Sequence, residues 1–483
     1  MEKTSFNIAE ATIEEIQQAF AAEQLTSVEL VQMYLDRIEQ FDKNGPKINS
    51  VLTVNPDALK IAEELDAIRG QDGQGPLYGI PVLVKDNIDT TDDMPTTAGT
   101  IALQDNYAMV DSFVAAQLRA AGAIILGKTN LSEWAFFMAE KGVSGYSALG
   151  GQVQNPYGPG KFEAGSVGGS SSGTGAAIAS NLAAVGIGTE TSGSILSPAS
   201  ANSIVGIKPT VGLISRTGII PIAESQDTAG PMARTVADAA IVLGILAGFD
   251  KEDPKTLESD GNALSDYTPH LQKDALRGAR IGIDRTFLSA ADTEERKVME
   301  KAIADMEAQG AIIEDVLVPR PEFESEVLWY EFKRGVDNYL SKTPDGVPVK
   351  SLADVIEFNK QDPESRMKFG QAELEKAHGL TDDPADPRYV EHRETDVRQS
   401  TAEGIDAVMA AHKLDALLFQ DNHGASMPAK AGYPSITVPA GYTGTGMPVG
   451  ATFSGLAWSE AKLISLAYAY EQATKKRIAP VFE

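Results

Sequence analysis

The sequence predicts an α/β fold, and three observations carry that expectation. Short apolar runs recur at 80–84, 124–126, 184–187, 281–283 and 416–419. Helical patterns alternate with them, so these runs read as strands buried on both faces. The 483 residues are 42% hydrophobic and 23% charged, with 44 Gly and 25 Pro, the balance of a globular chain able to enclose a large core.

The first 70 residues read as helices. Thr12 with Glu15, and Thr26 with Glu29, have the spacing of capping boxes ahead of periodic apolar runs. Leu30, Val31, Tyr34, Leu35, Ile38 and Phe41 fall on one helical face. A third helix is expected over 56–69, with Gly70 as its stop. Beyond it the strand runs begin. The segment 323–378 lacks strand signals, is rich in charge, and holds one apolar cluster, Val327, Leu328, Trp329, Tyr330 and Phe332; it reads as a helical cap over one end of the sheet. No low-complexity linker and no fixed-period repeat divides the chain, so residues 1–483 are expected to form one domain.

Charge narrows the function. There are 41 Lys and Arg against 68 Asp and Glu, a net charge of −27, which repels a phosphate backbone and makes nucleic acid an unexpected partner. Cysteine is absent, which removes a thiol nucleophile, a Cys-ligated metal and any disulfide framework. The start, 1–10, has no basic stretch followed by an apolar one, and no window reaches the roughly 18 apolar residues of a membrane-spanning helix. A cytoplasmic location without membrane contact is the expectation.

Two loops rich in serine and glycine could carry chemistry. Residues 165–175 hold five Gly and four Ser and run into the small-residue stretch 176–184. Such a segment can be a flexible linker, a phosphate-binding turn at a helix N-terminus, or a catalytic loop whose hydroxyls sit beside inward-facing amides. It lacks the Lys of GxxxxGK[ST] and any clean GxGxxG. The second loop, 188–200, reads GTETSGSILSPAS and follows an apolar run, where α/β proteins place sites beyond the ends of their strands. A serine nucleophile needs a base. None of His270, His378, His392, His412 and His423 sits in a recognisable motif, with His423 in QDNHGAS the one spare candidate. Lysine is the known alternative. Lys85 ends the apolar run 80–84, where burial would lower its pKa; an ion pair with Asp86 or another carboxylate is the competing reading.

The blocks GIPVLVKDNI (79–88), GKTNLSEW (127–134), GGSSSGTGAA (168–177), GTETSGSILSPAS (188–200) and GIKPT (206–210), in this order and spacing, resemble the amidase signature family. The matching core spans about 77–238, and AGYPSITVPAG (431–441) extends the resemblance toward the C-terminus. The resemblance implies one large mixed β-sheet covered by helices, hydrolysis or transfer of amides through a Ser-Ser-Lys triad, and no metal or organic cofactor. By position it assigns the lysine to Lys85, the bridging serine to Ser170 and the nucleophile to Ser194, with a cis peptide between Gly169 and Ser170. Proton transfer would run from Ser194 through Ser170 to neutral Lys85, giving an acyl-enzyme that water cleaves. Backbone N–H groups of Thr191, Ser192, Gly193 and Ser194 would form the oxyanion hole. Ser171, Ser172, Ser192, Ser197 and Ser200 are neighbours that chemistry alone does not separate from Ser194.

Three positions depart from the common family pattern: Ser172 and Ser192 stand where Gly is frequent, and Leu196 stands where Arg is frequent. That Arg is usual in the amidotransferase subunits that release ammonia from glutamine for transfer RNA amidation. The runs 215–235 and 457–474 are similar to peptide amidases, which deaminate C-terminal carboxamides. The expected function is therefore an amidase acting on a small-molecule or peptide amide. A glutamine-dependent amidotransferase subunit that works only with partner chains, and a non-catalytic anion-binding protein, are the alternatives. Trp134, Phe136, Phe137, Trp329 and Trp458 are candidates for an apolar substrate pocket, although aromatic residues more often build core.

Overall fold

The structure, a computed structural model, describes residues 6–71, 74–320 and 323–482. Both N-terminal capping boxes form. Thr12 Oγ1 accepts from Glu15 N at the start of the helix Ile13–Ala21, and Thr26 does the same for Glu29 at the helix Ser27–Arg37. The second helix continues through a π-helical turn over Ile38–Lys43, which accounts for the apolar face reaching Ile38 and Phe41. The third helix is shorter than expected, Ala58–Ala67, and Gly70 follows it at φ +89°.

Thirteen strands occur among the described residues. In chain order they are β1 (Val51–Val54), β2 (Pro81–Lys85), β3 (Ile124–Thr129), β4 (Tyr146–Ser147), β5 (Gly151–Gln152), β6 (Val185–Glu190), β7 (Val205–Lys208), β8 (Thr228–Ala233), β9 (Arg280–Ile283), β10 (Ile312–Asp315), β11 (Ala416–Gln420), β12 (Ser435–Tyr442) and β13 (Pro448–Ser454). β4 and β5 pair with each other, and the other eleven form one sheet in the order β1-β3-β2-β6-β8-β7-β12-β13-β11-β9-β10. β3, β2 and β6 run parallel, as do β11, β9 and β10, while the strands between are antiparallel. This is the expected mixed sheet of an α/β fold, and all five apolar runs lie in it.

The centre of the sheet was the hard part to foresee. β8 reads TAGPMA, with Gly230 and Pro231 inside a central strand, a composition that argues against a strand on propensity alone. Its backbone nonetheless pairs with β6 along its whole length, Val185↔Ala233 to Glu190↔Thr228. Tertiary pairing overrides local preference here.

Within the expected cap, the described residues carry helices Val327–Leu340, Leu352–Lys360, Pro363–Arg366 and Ala372–His378, and a further helix, Pro387–Ser400, lies beyond it. Val327–Leu340, Leu352–Lys360 and Ala372–His378 close a second apolar cluster, separate from the core on the sheet. Phe332, Val336 and Leu340 pack there against Trp134, Phe137, Ile220 and Ile222, residues of loops that follow β3 and precede β8. The Phe332 ring lies 4.5 Å from that of Phe137 and meets Trp134 edge-on at 6.1 Å. Among the described residues no helix is long and apolar enough to cross a membrane.

Because Phe332 is fully buried between helix and loops, truncation leaves a void beneath the helix. Phe332→Ala is expected to destabilise the protein by about 3–5 kcal/mol, and Phe332→Leu by distinctly less. Thermal unfolding followed by circular dichroism checks this; equal midpoints for Phe332→Ala and the parent would contradict it.

Candidate active site

Lys85 closes β2, a central strand buried at every position. Its amine, fully inaccessible, donates to Ser170 Oγ at 2.8 Å, to Thr189 Oγ1 at 2.9 Å and to the Thr189 carbonyl at 3.2 Å. No carboxylate among the described residues is ion-paired with it. The competing reading, a pair with Asp86, is overturned: Asp86 instead accepts from the Thr97 hydroxyl and the Thr97 N–H, holding the loop after β2. Burial pushes the Lys85 amine down to about 7, against the opposing charges of Asp227 and Glu190. A lysine of ordinary pKa, about 10.4, would be cationic at neutral pH; this one is divided between both forms.

Ser170 is equally buried, and the peptide between Gly169 and Ser170 is cis. The Ser170 carbonyl accepts from Ser132 N at 3.1 Å. One residue on, Ser171 N donates to the Ser194 carbonyl at 3.1 Å, so the two serine-rich loops are hydrogen-bonded backbone to backbone. Gly168 permits this approach: it has φ +71°, and a Cβ there would lie 2.8 Å from the Ser197 carbonyl oxygen. The linker and phosphate-turn readings of 165–175 do not fit a loop packed this tightly against a second one.

The hydroxyls of the two loops sort themselves. Ser171 Oγ donates to the Thr189 carbonyl at 3.0 Å, Ser172 Oγ to the Gly168 carbonyl at 2.6 Å, and Ser200 Oγ shares a proton with Thr437 at 2.9 Å. Ser197 Oγ accepts a long bond of 3.4 Å from Gly169 N, and Ser192 points outward as an exposed residue. Ser194 is different: it retains 9% of its exposure, and its hydroxyl takes no hydrogen bond among the described residues. Of the histidines, His423 turns to the Phe287 carbonyl at 3.1 Å, and none is hydrogen-bonded to Lys85, Ser170 or Ser194 among the described residues.

Glu190, at the end of β6, governs the turn that carries Ser194. Its carboxylate accepts from Gly193 N at 2.7 Å, Ile195 N at 2.7 Å and Leu196 N at 3.0 Å. This corrects the expected oxyanion hole: the Gly193 N–H is already committed inward to Glu190. No hydrogen bond occupies the N–H groups of Thr191, Ser192 and Ser194 among the described residues. Gly193 keeps its importance through conformation, at φ +84° and with Asn422 Nδ2 only 2.8 Å from where a Cβ would stand. Thr191 is fixed through its side chain, whose hydroxyl donates to Asp227 Oδ1.

Thr189, Glu190 and Asp227 were not foreseen as site residues. Glu190 had a legible signal, an acidic residue just ahead of the helix Leu196–Ala201, where a carboxylate can accept the free N–H groups of a helix start. Thr189 and Asp227 had none, because they reach the site through pairing of β6 with β8. The aromatic candidates divide: Trp134 and Phe137 are buried in the second cluster, Trp329 joins it, Trp458 packs on the main core, and Phe136 is 43% exposed. Among the described residues no group of three or more His, Asp or Glu is arranged to hold a metal ion.

Comparison with known proteins bears on this arrangement. A family described as amidase matches residues 29–464. A probable amidase of Arabidopsis thaliana is 39% identical, with 99% of this chain and 93% of that protein aligned. The native peptide amidase of Stenotrophomonas maltophilia, solved by X-ray diffraction, is 45% identical and superposes with a TM-score of 0.92 over 98% of this chain and 99% of that one. An amidase family protein of Bacillus anthracis, known from its crystal structure, is 40% identical, with a TM-score of 0.93 over 98% of this chain and 93% of that one. With the mixed sheet and the two joined serine loops already in view, these matches place the chain in the amidase signature family, as a hydrolase acting on amide C–N bonds.

Proposed function

We propose that the protein hydrolyses carboxamides, C-terminal amides of peptides among them, through Lys85, Ser170 and Ser194 and an acyl-enzyme. One observation carries this reading: a buried amine with no ion-paired carboxylate among the described residues donates to a serine hydroxyl at 2.8 Å, on a loop joined by its backbone to that of a serine whose hydroxyl is unengaged among them. In the neutral amine, two N–H bonds serve Thr189 Oγ1 and the Thr189 carbonyl, which leaves the lone pair for Ser170.

The relay follows. Ser194 gives its proton to Ser170 Oγ as Ser170 gives its own to Lys85 Nζ, and Ser194 Oγ attacks the amide carbon. The oxyanion is met by free N–H groups of Thr191, Ser192 and Ser194, held in place by Glu190 and Asp227. The proton returns through Ser170 to the leaving nitrogen, the C–N bond breaks, and water repeats the path to release the acid. The 45% identity to a peptide amidase over nearly the whole chain supports peptide amides as substrates. Leu196, which is uncharged where the glutamine-dependent amidotransferases commonly carry Arg, supports hydrolysis over transfer.

The purified chain alone should release ammonia from simple carboxamides and peptide amides. Ammonia appearing only after an amidotransferase partner is added would favour the transfer reading. Ser194→Ala should lower turnover at least roughly ten-thousandfold with the fold intact. A fluorophosphonate probe should label Ser194, and label found on Ser192 or Ser197 would displace the assignment.

Lys85 fixes the pH dependence. The neutral amine is the active form, so kcat/KM should rise with pH through a midpoint near 7 and level off above about 8. In Lys85→Ala this limb should disappear along with most activity; an unchanged limb in that variant would point to another base. Glu190→Gln keeps the size but weakens the anchoring of three N–H groups. It should lower kcat by roughly tenfold to a hundredfold, equivalent to about 1.5–3 kcal/mol for one charge-assisted hydrogen bond. A changed KM with kcat intact would assign Glu190 to binding.

A further inference from the structure

Beside the lysine, and not needed for the relay, lies a cleft of about 530 Å³. It opens where β2 and β6 end and is roofed by the helix Val327–Leu340. Thr189, which holds the Lys85 amine, forms part of its wall, so the cleft communicates with the reacting centre.

Its polar groups share one character. Asn87 is 2% exposed, and its amide nitrogen donates to Thr189 Oγ1 at 3.0 Å and to the Ile220 carbonyl at 3.4 Å. Its carbonyl oxygen, Oδ1, is buried and takes no hydrogen bond among the described residues. Asp89 accepts the Tyr339 hydroxyl at 2.8 Å, and Asp227 accepts from the Thr191 hydroxyl, from Ile222 N at 2.8 Å and from Ala223 N at 2.9 Å. Neither carboxylate is ion-paired among the described residues. Arg216, a cation of the wall, is already taken by Asp253 at 2.6 Å, and Lys342 stands exposed. Burial pushes both Asp89 and Asp227 up to about 6, so both are ionised at pH 8.

An unmet acceptor and two unpaired carboxylates around one cleft call for a ligand with several donors and a positive charge. We propose that this cleft binds a primary ammonium group, with Asn87 Oδ1, Asp89 and Asp227 as its acceptors. The cleft is far larger than the roughly 30 Å³ of one water, so it has room for an amino group carried on a substrate residue as well as for free ammonium. Both sources rest on the carboxamide hydrolysis proposed above, since one is its product and the other part of its substrate.

The experiment separates them. Wild-type enzyme hydrolyses an N-acetylated amino-acid amide at pH 8 and constant ionic strength, with added methylammonium, ammonium, tetramethylammonium or potassium chloride. If the cleft receives product, methylammonium and ammonium inhibit while tetramethylammonium, which has no N–H, behaves like potassium. If it receives a substrate amino group, the free-amine amide has a KM roughly tenfold below its acetylated counterpart. In Asp89→Asn either effect should weaken by roughly tenfold, while turnover of the acetylated amide stays near wild type. Equal behaviour of all four salts together with equal KM for the two amides overturns the proposal, and this wild-type comparison stands even if the variant does not fold. Calorimetric titration of the wild type with methylammonium chloride reads the cleft without turnover. Binding there without hydrolysis would sink the proposed function and leave the cleft, whereas hydrolysis with no binding and no amine effect would do the reverse.

Discussion

A single buried amine organises this molecule. Lys85 is placed by a central strand at a point closed to solvent, and its neighbours among the described residues offer it two oxygens of Thr189 and the hydroxyl of Ser170 but no carboxylate in ion-pairing reach. Burial without an anion is what holds its pKa near neutrality. A close carboxylate would stabilise the cation and remove the lone pair. Asp227 and Glu190 sit near enough to be felt, and each is occupied by other donors: the Thr191 hydroxyl and the N–H groups of Ile222 and Ala223 for one, the turn around Ser194 for the other.

The surrounding structure reads as the means of keeping that arrangement. β6 brings Thr189 to the lysine and Glu190 to the turn that carries Ser194, two adjacent residues serving the two serine-rich loops' surroundings. β8, pairing with β6 throughout, is preceded in the chain by the loop that holds Asp227 and the residues packed beneath Phe332. The helix Val327–Leu340 is thus in contact with the loops that line the cleft, which links the second apolar cluster to the site.

The sequence was most informative where chemistry and local geometry coincide. The capping boxes, the five apolar runs, and the blocks around Lys85, Ser170 and Ser194 could all be read from neighbouring residues, because each depends on spacing along the chain. It was least informative at β8, where Gly230 and Pro231 argue against a strand, and at Asp227, which has no motif. The turn that carries Ser194 lies between these cases. Its four N–H groups were evident from GTETSGS, but which of them faces outward depends on where the Glu190 side chain turns, and that direction is set by contacts distant in the chain.

By itself, then, the sequence determined the alternation of helices and buried strands, the absence of cysteine, and the order of the motif blocks around Lys85, Ser170 and Ser194, since composition, periodicity and motif order are all properties of a line of residues. Only the tertiary structure decided that Lys85 has no ion-pair partner among the described residues, that the Gly193 N–H is spent on Glu190, and that Asn87, Asp89 and Asp227 border one cleft. Those facts concern what is excluded from, or admitted to, a few ångströms around an atom. Such distances are fixed by the pairing and packing of segments far apart in the chain, which no local pattern records.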